Sequence, residues 1–154
     1  MLTPSIAAAL FEFATDRAAA PLQIEGAHFV LVAPDPGSAP LLLLVRTRIH
    51  RRDSLSNGFL PADFERARTA AATYGHTPGF LLAAHAPNDQ EVLLIATTLD
   101  TLEAAAAEAH TEWAKPKKDG GIQLSYGTAG RAALARDGRI THVTVSTRAS
   151  GNLL

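Results

Sequence analysis

The sequence predicts an α/β (α+β) fold, a single domain with a mixed central β-sheet flanked by helices in the order α-β-β-α-β-β-α-β-α-β. Three observations lead there. Apolar residues make up 47% of the 154 and charged residues 19%, enough for one proper core without metal or disulfide staples. Alanine-rich stretches with apolar residues at helical spacing alternate with short runs rich in Leu, Val and Ile. Clusters of Pro, Gly, Asn and Asp separate those short runs in pairs, as hairpins require. There is no internal repeat and no second domain. A flexible basic loop is expected at 114–121 and a tail at 149–154.

The elements follow in order. Thr3 as N-cap and Pro4 at the first helical position open helix one, whose Ile6, Leu10 and Phe13 form the inward stripe and which Pro21 stops. A strand at Ala27–Ala33 turns at Pro34-Asp35-Pro36-Gly37-Ser38 into the run from Pro40 to Arg52. After a polar loop, Asp53 to Gly58, Pro61 opens a second helix with Asp63 and Glu65 in its first turn, where the dipole favours anions. Phe64, Ala67, Ala71 and Tyr74 are its expected buried face, and Gly75 ends it. Strands at Phe80–Ala86 and Glu91–Thr98 flank a turn at Pro87-Asn88-Asp89-Gln90. A third helix begins near Asp100, with Glu103 placed for a capping box and Leu102, Ala105, Ala106 and Ala109 inward. A strand at Ile122–Ser125, a short helix at Ala129–Arg136 and a strand at Thr141–Thr147 complete the chain.

The totals narrow the functional classes. With no cysteine, a disulfide scaffold and a thiolate zinc site are excluded, and a reducing cytoplasm is the simplest home. The first residues carry no basic n-region, so no secretory signal is expected, and no apolar run approaches the ~20 residues that span a bilayer. The net charge of −1 hides an asymmetry. Residues 1–112 hold seven Lys and Arg against thirteen Asp and Glu, whereas residues 113–154 hold seven against two. An anionic partner would be drawn only to the C-terminal part and to one earlier cluster.

That cluster lies on the central strand, PLLLLVRTRIHRR. Its apolar start enters the interior. Alternation then puts Val45, Thr47 and Ile49 on one face and Arg46, Arg48 and His50 on the other, with Arg51 and Arg52 at the exit. Guanidinium groups in such a row can clamp phosphates through bidentate forks. The competing reading is a solvated strand end whose arginines pair with Asp53, Asp63 or Glu65. Lys115, Lys117 and Lys118 could embrace a backbone from the side or simply keep a linker soluble. Six histidines show no His-x-x-x-His or His-x-His spacing, so no metal site and no cofactor are expected; His28 stands out because a hairpin would bring it near Arg46.

Between residues 24 and 100 the chain resembles the PD-(D/E)XK nuclease superfamily, with its restriction-endonuclease-like fold. The likeness lies in a hairpin whose second strand, LLLLVRTR, sits where such enzymes carry E-x-K. A loop, a Phe-led helix (FLPADFERARTAAATYG) and the strand-turn-strand GFLLAAHAPNDQEVLLIAT follow. The resemblance implies a carboxylate on each of two adjacent strands and a lysine two residues past the second, together holding Mg²⁺ and activating water. Here His28 or a neighbour takes the first position and Leu44-Val45-Arg46 the second, while Asp35 of Pro34-Asp35 lies in the turn. Arginine stays protonated and cannot act as a base. The implied member is therefore a pseudoenzyme.

Three functions follow as expectations. The first is a non-catalytic, nuclease-like module binding nucleic acid through Arg46, Arg48, His50, Arg51 and Arg52, aided by Lys115, Lys117 and Lys118, with His28, Asp35, Asp53 and Glu65 as neighbours. The second is a protein-interaction or self-assembling module, drawing on alanine-faced helices and the apolar end Asn152-Leu153-Leu154. The third is a Mg²⁺-dependent nuclease whose ligands have moved to Asp35, Asp53, Asp63 and Glu65.

Overall fold

A computed structural model describes residues 2–37, 39–49, 56–85, 91–108 and 112–146. The elements are α1 (Pro4–Thr15), β1 (Ala19–Ile24), β2 (Ala27–Val32), β3 (Leu41–Ile49), β4 (Ser56–Phe59), α2 (Pro61–Tyr74), β5 (Thr77–His85), β6 (Glu91–Thr98), α3 (Leu99–Ala107), β7 (Ala114–Pro116), β8 (Ile122–Ser125), α4 (Thr128–Asp137) and β9 (Thr141–Ser146). The mixed α/β class stands, but the strands form two sheets. One has six strands in the order β1-β2-β3-β5-β6-β9, and the other has three in the order β4-β8-β7.

The large sheet is antiparallel except at its centre, where β3 runs parallel to β5 with Leu43 opposite Gly79 and Arg48 opposite Ala84. Alternation along these strands feeds two cores. Val30, Val32, Leu43, Val45, Leu81 and Ala83 face α1. Phe29, Leu42, Leu44, Phe80 and Leu82 face the other way, toward α2, α3 and the small sheet. Leu42, Leu43 and Leu81 are fully buried, each stabilising the fold by about 1.5–3 kcal/mol. Phe80 holds the second core together, stacked on Phe59 of β4 at 4.2 Å and edge-on to Phe64 of α2 at 5.4 Å.

Local chemistry sets the boundaries. The Thr3 hydroxyl accepts the Ile6 N–H at 3.2 Å, capping α1 as expected. The helix ends earlier than Pro21, at Asp16, which adopts the left-handed conformation and donates its N–H to the Glu12 carbonyl. Pro21 instead sits in β1, an edge strand that the sequence pattern did not reveal, where a missing N–H is tolerated. The two-residue turn Glu25-Gly26, both at positive φ, then joins β1 to β2. The inward stripe of α1 is Ala7, Ala8, Leu10 and Phe11, while Phe13 is 57% exposed. Phe13 lies two residues, about 200°, around the helix from Phe11, so only one ring can reach the sheet. Likewise Ala70 replaces Tyr74 in the buried face of α2, and Tyr74 stays outside.

Further differences lie beyond residue 52. Thr98, rather than Asp100, caps α3 by accepting the Thr101 N–H, and Glu103 pairs with Arg68 of α2 instead of closing a capping box. Part of the polar loop 53–58 is strand β4. The segment 114–121, expected as a loop, is strand β7 followed by a tight turn, in which the Lys117 N–H bonds the Gly121 carbonyl at 2.8 Å and the Gly121 N–H bonds Asp119 at 2.8 Å. Pairing of β7 with β8, and of β8 with β4, absorbs the backbone groups that a loop would have left to water. The expected turn at 87–90, Ala109 and the tail 149–154 lie outside the described residues.

Candidate functional site

Four side chains of β3 share the face beneath α2 and the small sheet: Leu42, Leu44, Arg46 and Arg48. The row begins in the core and ends in two cations because the two covering elements cross it at different heights. Leucines are covered outright, the N-terminus of α2 meets Arg46, and the start of β4 meets Arg48.

Arg46 is answered by an acid. Asp63, the third residue of α2, is buried, and its Oδ2 accepts the Leu60 N–H at 2.8 Å, satisfying one of the helix's orphan donors. Its Oδ1 accepts from Arg46 Nη2, so one carboxylate caps the helix and neutralises the strand. The Nε of Arg46 is buried without an acceptor. The sequence reading that paired these arginines with nearby acids therefore holds for Arg46.

Arg48 is different. Its Nη2 donates to the Ser56 carbonyl at 3.5 Å, and its charge faces the phenol of Tyr126, just past β8. Burial pushes the Tyr126 hydroxyl up to about 12, with Arg48 opposing part of that rise. Among the described residues no carboxylate pairs with Arg48, and the side chain is exposed. Arg131 in the first turn of α4 donates from Nε to the Tyr126 carbonyl at 2.9 Å, fixing α4 against the end of β8. His142 on β9 lies opposite Ile95, on the same side of the sheet as the arginines. Burial chiefly, and then the Arg131 charge, hold its imidazole below 6.5. Tyr126 carried no sequence signal, since it meets Arg48 only through long-range packing, and the Arg131 charge reaches His142 in the same way.

The small sheet turns Asn57, Phe59, Ala114, Ile122 and Leu124 inward, leaving Gly58, Lys115 and Gln123 on its outer side. Lys117 folds back so that its Nζ lies 3.0 Å from the point where a Gly58 Cβ would stand. The points on β4 that Arg48 and Lys117 approach, Ser56 and Gly58, are two residues and so roughly 7 Å apart along the strand. Asp119 is 3.9 Å from Lys117, and Lys118 is exposed in the turn.

The remaining predicted residues do not converge there. His28 is exposed and pairs with Gln23. It alternates with Phe29, which faces Leu44, so its ring points to the side of the sheet opposite Arg46, and the expected approach of the two does not occur. Asp35 lies three residues beyond Val32, the partner of Leu41, and so sits at the opposite end of β3 from Arg46. Glu65 is exposed on α2, lining a cleft against β1 and β2. His50, Arg51, Arg52 and Asp53 lie outside the described residues. Among the described residues no three His, Asp or Glu side chains gather as a metal ion requires.

No protein-family model matches the chain, and neither does any curated protein or solved structure.

Proposed function

We propose that the protein is a non-catalytic, nuclease-like module that binds the phosphate backbone of a nucleic acid through Arg48, Lys117 beside β4 and Lys115 on the outer face of the small sheet. The observation that carries this reading is Arg48 itself, an exposed guanidinium that keeps its fork unclaimed by any carboxylate among the described residues and meets β4 two residues from the point that Lys117 approaches. Lys115 on the outer face of the small sheet, and Arg131 on the Tyr126 carbonyl, add positive charge to this part of the molecule.

The nuclease-like part is supported by chain order. An antiparallel hairpin, β2 and β3, is followed by α2 and then by β5, laid parallel beside β3. Where the resemblance would put a carboxylate on each hairpin strand, Leu44 and Phe29 stand directly opposite one another, both within the core. Both belong to the same core as Phe80, which supports a non-catalytic reading. Asp63, the acid nearest in chemistry to a relocated ligand, is committed to Arg46 and Leu60.

Fluorescence anisotropy with random-sequence duplex DNA and RNA of equal length tests the proposal. Three phosphate contacts would weaken binding roughly 40-fold between 50 and 200 mM salt, and the Arg48→Glu/Lys117→Glu pair should abolish it. Absence of binding at low salt, or binding untouched by the double substitution, rejects it. Plasmid cleavage with Mg²⁺ or Mn²⁺ would instead favour the nuclease with moved ligands. A second reading, self-association, draws on β9, an outermost strand of six residues without a charge or proline to blunt its edge. Light scattering on the purified protein separates the two.

A further inference from the structure

A cleft of about 440 Å³ lies between the β1–β2 hairpin and α2, within the range of small-molecule sites. It arises because α2 packs over β3 and β5, so β1 and β2 extend past the helix with part of their apolar face uncovered. Ile24, Phe29 and Ala70 line it from the two walls, and Phe29 and Ala70 are buried. Charged residues also line it from both sides: Glu25 comes from the hairpin turn, Glu65 and Arg66 from the outer side of α2. None of these three side chains makes a hydrogen bond or ion pair among the described residues.

From this lining we infer that the cleft is a binding site for a small organic cation with an apolar body. The apolar residues bury a ring or short chain. Two carboxylates against one guanidinium leave the lining net negative. They come from opposite walls, so an ammonium or amidinium between them meets an acid on either side, and an amidinium can engage a carboxylate through two parallel hydrogen bonds. An anion would meet two like charges for one opposite charge. The site is separate from Arg48 and does not depend on nucleic-acid binding.

Amide-resolved NMR titration of the full chain with three isosteric probes, benzamidine, benzamide and benzoate, decides the matter. Benzamidine should shift the Ile24, Glu25 and Ala70 amides saturably, with a dissociation constant of about 1 mM, ordinary for a fragment of that size. It should bind at least about threefold tighter than neutral benzamide, with benzoate the weakest. The Glu25→Gln/Glu65→Gln variant, altered only on the surface, should lose the preference for benzamidine while keeping weak binding of benzamide. Ala70→Phe, whose ring enters the floor, should remove binding of all three, with its fold checked by the same spectrum. Equal affinity for benzamidine and benzamide, a preference for benzoate, or saturable shifts confined elsewhere would overturn the assignment. So would no saturable response up to about 20 mM.

Discussion

Replacing Asp63 with alanine should weaken the fold while strengthening binding to a nucleic acid. The carboxylate has two tasks. Its bond to the Leu60 N–H is an N-terminal helix cap, and losing such a bond costs about 1 kcal/mol. Its pair with Arg46 involves an arginine side chain about 40% exposed, so water screens it and at most about 1 kcal/mol belongs there. Together they amount to about 2 kcal/mol, or a melting temperature about 4–8 °C lower in a chain of this size. Asp63→Asn keeps an acceptor for Leu60 and should lose about half as much. Once Asp63 is gone, Arg46 is the second open guanidinium on its face of β3. Under the proposed function the plot of log affinity against log salt should then steepen by about 0.9, one more counterion released on binding. Calorimetry and salt-dependent anisotropy on the same two variants give both numbers. An unchanged melting temperature together with an unchanged salt slope would refute the claim that one carboxylate caps α2 and silences Arg46.

Three further outcomes follow from the packing. Gly79→Ala should destabilise by about 3 kcal/mol in chemical denaturation, because its Cβ would press into the Thr97 carbonyl and lie 2.7 Å from Leu43 Cδ2, where paired backbone cannot yield. In a Tyr74→Phe background, ultraviolet titration of the remaining tyrosine should centre near 12, and Arg48→Gln should move it higher still, since burial raises the phenol and Arg48 opposes that rise. The neutral phenol is the form the fold favours, so its contribution to stability is present below the ordinary 10.0 and is lost as pH rises through about 12. His142 has the opposite dependence. Held below 6.5 in the fold, it favours folding when neutral, and stability should fall as pH drops below that value; His142→Gln should flatten the slope in melts across that range.

How much of this was legible beforehand depended on whether the cause was local. Thr3 and Pro4 start α1, Gly75 ends α2 in the left-handed conformation, and Ile122–Ser125 is the strand expected, because each signal lies within a few residues of its effect. The alternation of Arg46 and Arg48 against Val45 also appears as the sequence implies. Strand β1 was hidden since an edge strand with Pro21 and mixed exposure shows neither a buried run nor a clean period. Strand β4, only Ser-Asn-Gly-Phe, has the composition of a turn and is a strand because β8 pairs with it from more than sixty residues away. Asp63 was visible as an acid in a helix's first turn; its second partner, Arg46, is set by how α2 crosses the sheet. The Arg48 environment is set by how the small sheet packs on β3, since Ser56 starts β4 and Tyr126 follows β8.

The parallel pairing of β3 with β5 has a consequence during synthesis. As the chain emerges, β2 can zip onto one edge of β3 at once, but the other edge stays bare until Thr77–His85 has been made. For that interval Leu41-Leu42-Leu43-Leu44-Val45 is an uncharged apolar ribbon with unpaired amides, the kind of segment that recruits a second nascent chain. Arg46 and Arg48 stand immediately downstream of it, where like charges keep two such ribbons from aligning. Neutral residues at both positions should therefore lower the yield of dispersed protein from the ribosome, whatever the finished molecule binds.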